Sequence, residues 1–350
     1  MVAIKASAVR DISARGQRTK LADVAEQAGV SKSIASRVLN DSPGLSTRDD
    51  TRQRVIEAAR QLNYRPHAAA RGLKRAETGL LSLVIPTLTN PIFALISRGC
   101  VERAMERDIA VLLTEDSEAA ETDKIIGRLV QAGRIDGVIV ASASPAHPLL
   151  KSLKRLSIPH VFVLRSMPGS RRNVSLPDEA ASALAVDHLL DLGHLVVGHI
   201  AGPLAFSSAQ RLARGFRVRA TTRGAREALL EQGEFSEEGG AEATHRLLTG
   251  KVRPTGLTTA SVSQAVGALH AAWQLGLSVP DELSIVTCGD APIMAFLCPP
   301  VTAVRLPYSQ VGAAAVDALI EQLLGGNAQD HVVQIEPEVV VRQSTAPPFA

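Results

Sequence analysis

The chain has only three cysteines, no apolar run of membrane-spanning length and no secretion-type apolar centre near its start. Each absence excludes a class. Cys100, Cys288 and Cys298 are odd in number and sit in apolar or loop contexts, which excludes a disulfide framework and reads as buried free thiols in a reducing cytoplasm. Without about 20 consecutive apolar residues no helix crosses a bilayer. Residues 1–20 are polar, basic and unpatterned, which reads as a disordered extension and not as a leader peptide. No glycine-rich phosphate loop, dinucleotide fingerprint or nucleophile elbow interrupts a strand–helix junction, so the usual nucleotide-dependent and hydrolytic enzymes are excluded and no cofactor is expected. Nine histidines are present, yet His188, His194 and His199 straddle a helix end and a strand and lack metal-ligand spacing.

What is present begins at LADVAEQAGVSKSIASRVLN (21–40). Val24, Ala28, Val30, Ala35 and Val38 can share one small core, because helical neighbours three or four apart lie on one face. Gly29 supplies a turn in which positive φ costs nothing, and Ala25 lets a second helix approach closely. Ser31 then caps that helix, while Lys32, Ser33, Ser36 and Arg37 point to solvent. Two helices crossing through a tight turn, with a polar outer face, form a helix-turn-helix. A third helix follows in TRQRVIEAARQLNY, with Val55, Ile56, Ala59 and Leu62 on one stripe. RPHAAARGLK then offers a short helix whose Leu73 has nothing to pack on, so it is expected to order only against a surface supplied from outside.

Charge follows the same division. Residues 1–78 hold 15 Lys and Arg against 8 Asp and Glu, a net +7, and residues 79–350 hold the other 23 against 27, a net −4. A basic head suits phosphate contacts, since neutralised phosphates release counterions. From Leu80 onward LLSLVIP, IAVLLTE and DGVIVAS alternate with amphipathic helices, and VVGHIAG, LTTAS and LSIVTC repeat the pattern after Pro177. Continuous apolar strands between helices mean parallel sheets covered on both faces. The expected fold is α/β: a helix-turn-helix head piece followed by a two-lobe clamshell of doubly wound parallel sheets. The cleft between lobes should be lined by loops after 84–86, 140–142, 164–165, 201–203, 260–261 and 288–290.

AGVSKSIASRVLN, YRPHAAARGL, VIPTLTNPIF, LVQAGRIDGVIV, HLLDLGH and LGLSVPDELSIV, in this order, resemble the LacI/GalR family of bacterial transcription regulators over about 21–337. The resemblance implies a DNA-binding domain at 21–65 and a hinge helix at 66–77. It further implies an effector-binding and dimerisation domain at 78–350, with lobe 1 at about 78–177 and 306–337 and lobe 2 at about 178–305 and 338–350. It implies no enzyme activity but a repressor, acting as a homodimer on a double-stranded, pseudo-palindromic operator at the nucleoid, away from membranes. Lys32 and Ser33 would set specificity, Arg37 would read a base edge, Ser31, Ser36 and Asn40 would anchor to the backbone, and Leu73 would wedge between central base pairs.

For the effector, the resemblance implies Asn90, Phe93, Arg165, Asp178, Arg211, Ser261 and Asp290, with Arg214 as the alternative to Arg211. Two departures remove polar groups that commonly hold sugar hydroxyls: Ser261-Val262 replaces Asn-Asp, and Thr287-Cys288-Gly289-Asp290 replaces Gly-Phe-Asp-Asp. With arginines kept and carboxylates lost, the expected effector is a sugar, sugar acid or sugar phosphate, with an anion as favoured as a plain sugar. On the DNA side, Ile34 replaces a phosphate-contacting threonine and the 46–51 loop is two residues longer than usual. A small-molecule-binding protein with impaired DNA binding is the alternative function.

Overall fold

The computed structural model describes residues 19–39, 47–64, 78–142, 144 and 146–348. It separates into two compact units, 1–78 and 79–350. The extension before residue 19, Asn40, the first part of the lengthened loop, and the 66–77 linker with Leu73 lie outside the described residues.

The head unit is three helices, α1 (Leu21–Ala28), α2 (Lys32–Leu39) and α3 (Asp49–Gln61). Gly29 stands at φ +65. Its N–H reaches Glu26 O at 3.1 Å and Val30 N reaches Ala25 O at 2.9 Å, which ends α1 in a left-handed cap and starts the turn. Val24, Ala25, Ala28, Ala35, Val38, Val55, Ala58 and Ala59 form the core, with Val30 and Leu62 packed against it. The stripe expected on α3 is rotated: Ile56 is 45% exposed and Ala58 replaces it inside. Val55, Ala58, Ala59 and Leu62 follow the i, i+3, i+4, i+7 spacing of one face, and Ile56 falls outside it. Thr19 Oγ1 donates to Leu62 O at 2.9 Å and Gln27 Nε2 to Gln61 Oε1 at 2.7 Å, tying α1 and its approach to α3.

The larger unit holds two six-stranded sheets. The first contains β1 (Leu80–Ile85), β2 (Ala110–Glu115), β3 (Gly137–Val140), β4 (His160–Val163), β5 (Asn173–Ser175) and β11 (His331–Val332) in the order β11-β5-β4-β3-β1-β2. Its pairings are parallel, as crossover helices α4 (Pro91–Met105), α5 (Ala119–Gln131) and α6 (Pro148–Arg155) require. Both faces are dry: Leu81, Leu83, Ile85 and Ile139 point to one side, while Val84, Val138, Val140 and Phe162 meet Ile126, Leu149 and Leu153 on the other. That alternation within unbroken apolar runs is why these strands are legible in the sequence.

The second sheet contains β6 (Val196–Ala201), β7 (Glu227–Gln232), β8 (Gly256–Thr259), β9 (Ser284–Cys288), β10 (Thr302–Arg305) and β12 (Glu338–Val340) in the order β12-β10-β9-β8-β6-β7. Only the β10–β12 pair is antiparallel. Helices α7 (Asp178–Asp191), α8 (Ser207–Thr222), α9 (Glu237–Thr249) and α10 (Val262–Gln274) cover it. After β10 the chain returns to the first lobe as α11 (Tyr308–Leu323), which crosses α4 so closely that a Cβ on Gly99 would stand 1.9 Å from Ser309 O, and one on Gly312 2.2 Å from Ile96 O. The chain thus passes between sheets three times, at 176–177, 306–307 and 333–337.

Among the described residues no helix is long and apolar enough to cross a membrane, and no group of His, Cys, Asp and Glu is arranged to hold a metal. Cys100 and Cys288 are buried, and burial raises both thiols to about 12. Cys298 departs from the expectation of a buried thiol and is exposed, because it follows a short 3-10 turn (Pro292–Ala295) on the lobe surface.

Candidate functional site

Among the described residues two places present chemistry, one in each unit. In the head, Ser31 Oγ accepts the N–H of Ile34 at 3.3 Å, capping α2. Ala35 and Val38 turn inward, so Lys32, Ser33 and Arg37 are left exposed on the opposite face with Ser36 half-buried beside them. Ile34, 36% exposed, is the apolar member of that face.

In the larger unit, a cavity of about 380 Å³ opens between the two sheets at the carboxyl ends of their strands. Its first-lobe wall includes Asn90 and Phe93 at the start of α4. Asn90 is placed by capping: its Oδ1 accepts the N–H of Ile92 at 3.1 Å, with Pro91 at the first helical position. Leu164 and Arg165 follow β4. Leu164 stands at φ +62, a conformation unfavourable for a branched side chain. Its N–H is held by Val174 O at 3.1 Å, and Arg165 N bonds back to Val163 O at 2.7 Å, closing a γ-turn of the strained form. Arg165 Nη1 donates to Ser142 O at 2.9 Å and its guanidinium carbon lies 3.7 Å above the centroid of Phe206, which belongs to the second lobe. Burial lowers Arg165 to about 10, against the pull of Asp116 and Glu234.

Asp178, the first residue of α7, is buried, and desolvation pushes its carboxyl up to about 6 although Arg211 opposes the shift. Arg211 does not line the cavity. Its Nε reaches Asp178 Oδ2 at 2.9 Å, Nη1 the Ser166 hydroxyl at 3.2 Å and Nη2 the Leu164 carbonyl at 2.9 Å. Arg214 is turned outward to Glu179 at 3.5 Å. Ser261 lines the cavity and also caps α10, its Oγ accepting Gln264 N at 3.3 Å. Asp290 is elsewhere, in a separate pocket, held by Arg342 at 2.8 Å and Arg305 at 3.2 Å. The structure therefore brings Asn90, Phe93, Arg165, Asp178 and Ser261 to one cavity and leaves Arg211 behind its wall and Asp290 outside it.

A sequence model of bacterial regulatory proteins of the lacI family matches residues 20–67, and one of the periplasmic binding protein-like domain matches residues 186–345. The chain is 36% identical over 346 residues to the HTH-type transcriptional regulator MalR of Streptomyces coelicolor, covering 94% of this chain and 97% of MalR. This chain belongs to the lacI family. It is a transcriptional regulator and not an enzyme. Two solved structures of transcription regulators are similar over most of the chain. The lac repressor dimer bound to operator and the anti-inducer ONPF has a TM-score of 0.82 at 25% identity, over 94% of this chain and 100% of that one. The complex of the transcriptional regulator CelR with cellobiose has a TM-score of 0.71 at 25% identity, over 93% and 100%.

The cavity of this lacI-family chain has further walls that its sequence did not single out: Phe206, Glu234, Phe235, Ser236 and Tyr308. Phe206 and Phe235 are near-parallel, 6.4 Å apart. Phe235 lies against Gly202, where a Cβ would stand 2.0 Å from its Cζ. Gln264 gathers this wall, its amide nitrogen lying 3.1–3.2 Å from the carbonyls of Ala201, Gly233 and Glu234. The signal that could have found the wall is its aromatic content in a chain with seven phenylalanines. It follows an exposed edge strand, β7, whose sequence carries no apolar run. The charged lining is Arg165, Asp178 and Glu234. Arg211, the other arginine that the resemblance implies for the effector, has its charge matched by Asp178 behind the cavity wall.

Proposed function

We propose that this chain is a repressor that binds a pseudo-palindromic operator as a homodimer and whose DNA affinity is set by a small, uncharged saccharide between its lobes. The observation that carries this reading is the cleft: near-parallel aromatic rings beside two carboxylates and one buried guanidinium, in a chain that also presents an exposed helix-turn-helix face. Sugar C–H faces stack on Phe206, Phe235 and Phe93, and hydroxyls donate to Asp178 and Glu234 and accept from Arg165. Asp178 is paired with Arg211, so the charges left to face the cleft among the described residues are Arg165 and Glu234, one of each sign; a neutral saccharide leaves that balance intact, whereas a sugar acid or phosphate would add an unmatched charge. The CelR complex, with cellobiose bound, supports the same class.

On the DNA side, Lys32 and Ser33 set specificity, Arg37 reads a base edge, Ser31, Ser36 and Asn40 hold the backbone, and Leu73 wedges at the dyad. The lac repressor neighbour is a dimer on its operator. For dimerisation, Val101 and Met105 on one stripe of α4 and Leu113 on β2 are exposed in the first lobe, and Trp273, Ile293 and Phe296 in the second. Val101 and Met105 stand four residues apart on one helix face, and large apolar side chains grouped in this way are covered by a partner surface.

Selection of DNA sites by the purified chain, with and without a panel of neutral disaccharides, sugar acids and sugar phosphates, tests the reading. A palindrome released by a neutral saccharide is the expected outcome. Enrichment modulated only by a sugar phosphate would overturn the effector class, and no enrichment at low salt would favour a ligand binder in which Ile34 has disabled the head.

A further inference from the structure

We propose that the turn at 164–166 and the first turns of α8 form a latch that holds the two lobes closed without any effector, with Arg211 as its central positioning residue. Several polar contacts between the lobes meet here. Arg211, rooted in the second lobe on α8 and anchored at Asp178, extends two N–H groups to the first lobe, to Leu164 O at 2.9 Å and Ser166 Oγ at 3.2 Å. Ser166 N donates to Ser207 Oγ at 2.7 Å, a second bond between the same two segments. Arg165 lies over Phe206, a third crossing, 3.7 Å from the ring centroid.

The local backbone is shaped for this. The left-handed Leu164 turns its carbonyl out of line with β4 and toward α8, and the tight bond from Arg165 N to Val163 O fixes it there. A planar guanidinium with several fixed donors can hold Asp178, a carbonyl and a hydroxyl together; an ammonium on a flexible stem cannot match that fork. Asp178 and Leu164 also line the cavity, so a molecule in the cleft touches both ends of the latch. Its consequence for control rests on the cleft being the effector site; closure in the absence of effector does not.

A nitroxide pair on the full-length chain reads the latch directly. Cysteines replace Leu88 and Glu238, exposed residues of the first and second lobes, in a Cys298→Ser background, and pulsed dipolar spectroscopy measures the distance without ligand. The expected result is one narrow distribution. Arg211→Lys, which keeps a positive charge for Asp178, and Ser207→Ala, which removes only the second bond, should each shift it to longer and broader distances, and the double variant further. A broad or long distribution in the unsubstituted protein, or a narrow one unchanged in the double variant, would overturn the latch. Thermal unfolding midpoints within a few degrees of the parent show that the variants have opened and not unfolded. If a variant fails to fold, Ser166→Ala, which removes only a hydroxyl acceptor, carries the same test. Because no effector is present, this result stands whether or not a neutral saccharide proves to be the ligand.

Discussion

His199 shows how strongly one residue can be shaped by its surroundings. It is fully buried on β6, stacked at 5.0 Å on Phe216, and its Nδ1 lies 2.9 Å from the Thr258 hydroxyl, which itself donates to Gly198 O. That hydroxyl can then only accept from the ring, so the proton sits on Nδ1. Nε2 has no partner. Burial, reinforced by the charge of Arg217, lowers its pKa to about 3 from the ordinary 6.5. Below 6.5 the unfolded chain binds a proton that the folded chain refuses, so stability present above that pH is lost as pH falls toward 3, by up to about 1.4 kcal/mol per unit. Urea midpoints of wild type and His199→Leu between pH 7 and 4.5 check this: the variant should lose less on acidification. Equal losses would place the acid sensitivity elsewhere. At the same scale, Arg37→Ala is expected to cost about 1–3 kcal/mol of operator binding and to relax discrimination at one base pair. Footprints weakened uniformly at every sequence would make Arg37 a phosphate contact instead.

Elements meet where side chains are small, and that is where helix packing is least forgiving. Gly99 on α4 and Gly312 on α11 face backbone carbonyls at distances no methyl can occupy. Gly99→Ala should therefore force the helices apart and cost at least the 1–3 kcal/mol typical of overpacking. Gly127, on the outer face of α5 with open space around it, makes the matched control, where alanine should stabilise by about 0.5–1 kcal/mol through helix propensity. Chemical denaturation of the two variants decides it; a neutral Gly99→Ala would mean that the α4–α11 crossing is adjustable. These contacts were not legible in the sequence, since a glycine inside a helical pattern does not say what it faces. The sheets were legible: β1, β3, β6 and β9 are buried on both sides and read as mostly apolar runs. So was the head core, where Val24, Ala25, Ala28, Ala35 and Val38 sit at helical spacing, although α3 is rotated enough to expose Ile56. The cleft was legible only in part. Residues attached to strong elements, such as Asn90 capping α4 and Ser261 capping α10, could be placed. The wall after the exposed strand β7 could not, because Glu234 and Phe235 owe their position to Gln264 and Gly202 and not to any local periodicity.

At the scale of the whole molecule, charge is divided as function would require. The basic 1–78 segment carries +7 and the remainder −4, so electrostatic attraction to DNA is concentrated in the head while the body adds none. Phosphate contacts exchange condensed counterions for lysine and arginine, and a protein making 6–10 of them loses about 10³–10⁵ in affinity between 50 and 200 mM salt. The two heads proposed to share one operator are expected to fall within that range. The cleft behaves differently: Asp178 is buried and paired with Arg211, where mobile ions screen little, and an uncharged ligand brings no counterions to release. Operator affinity is therefore expected to fall steeply and linearly in log–log form with salt, while effector affinity changes by less than about twofold over the same range. Fluorescence anisotropy on operator DNA and calorimetry on the effector, run in the same buffers, give both slopes. A flat operator slope would mean that the head's charge faces solvent and not phosphate. A steep effector slope would mean that the ligand is an anion after all.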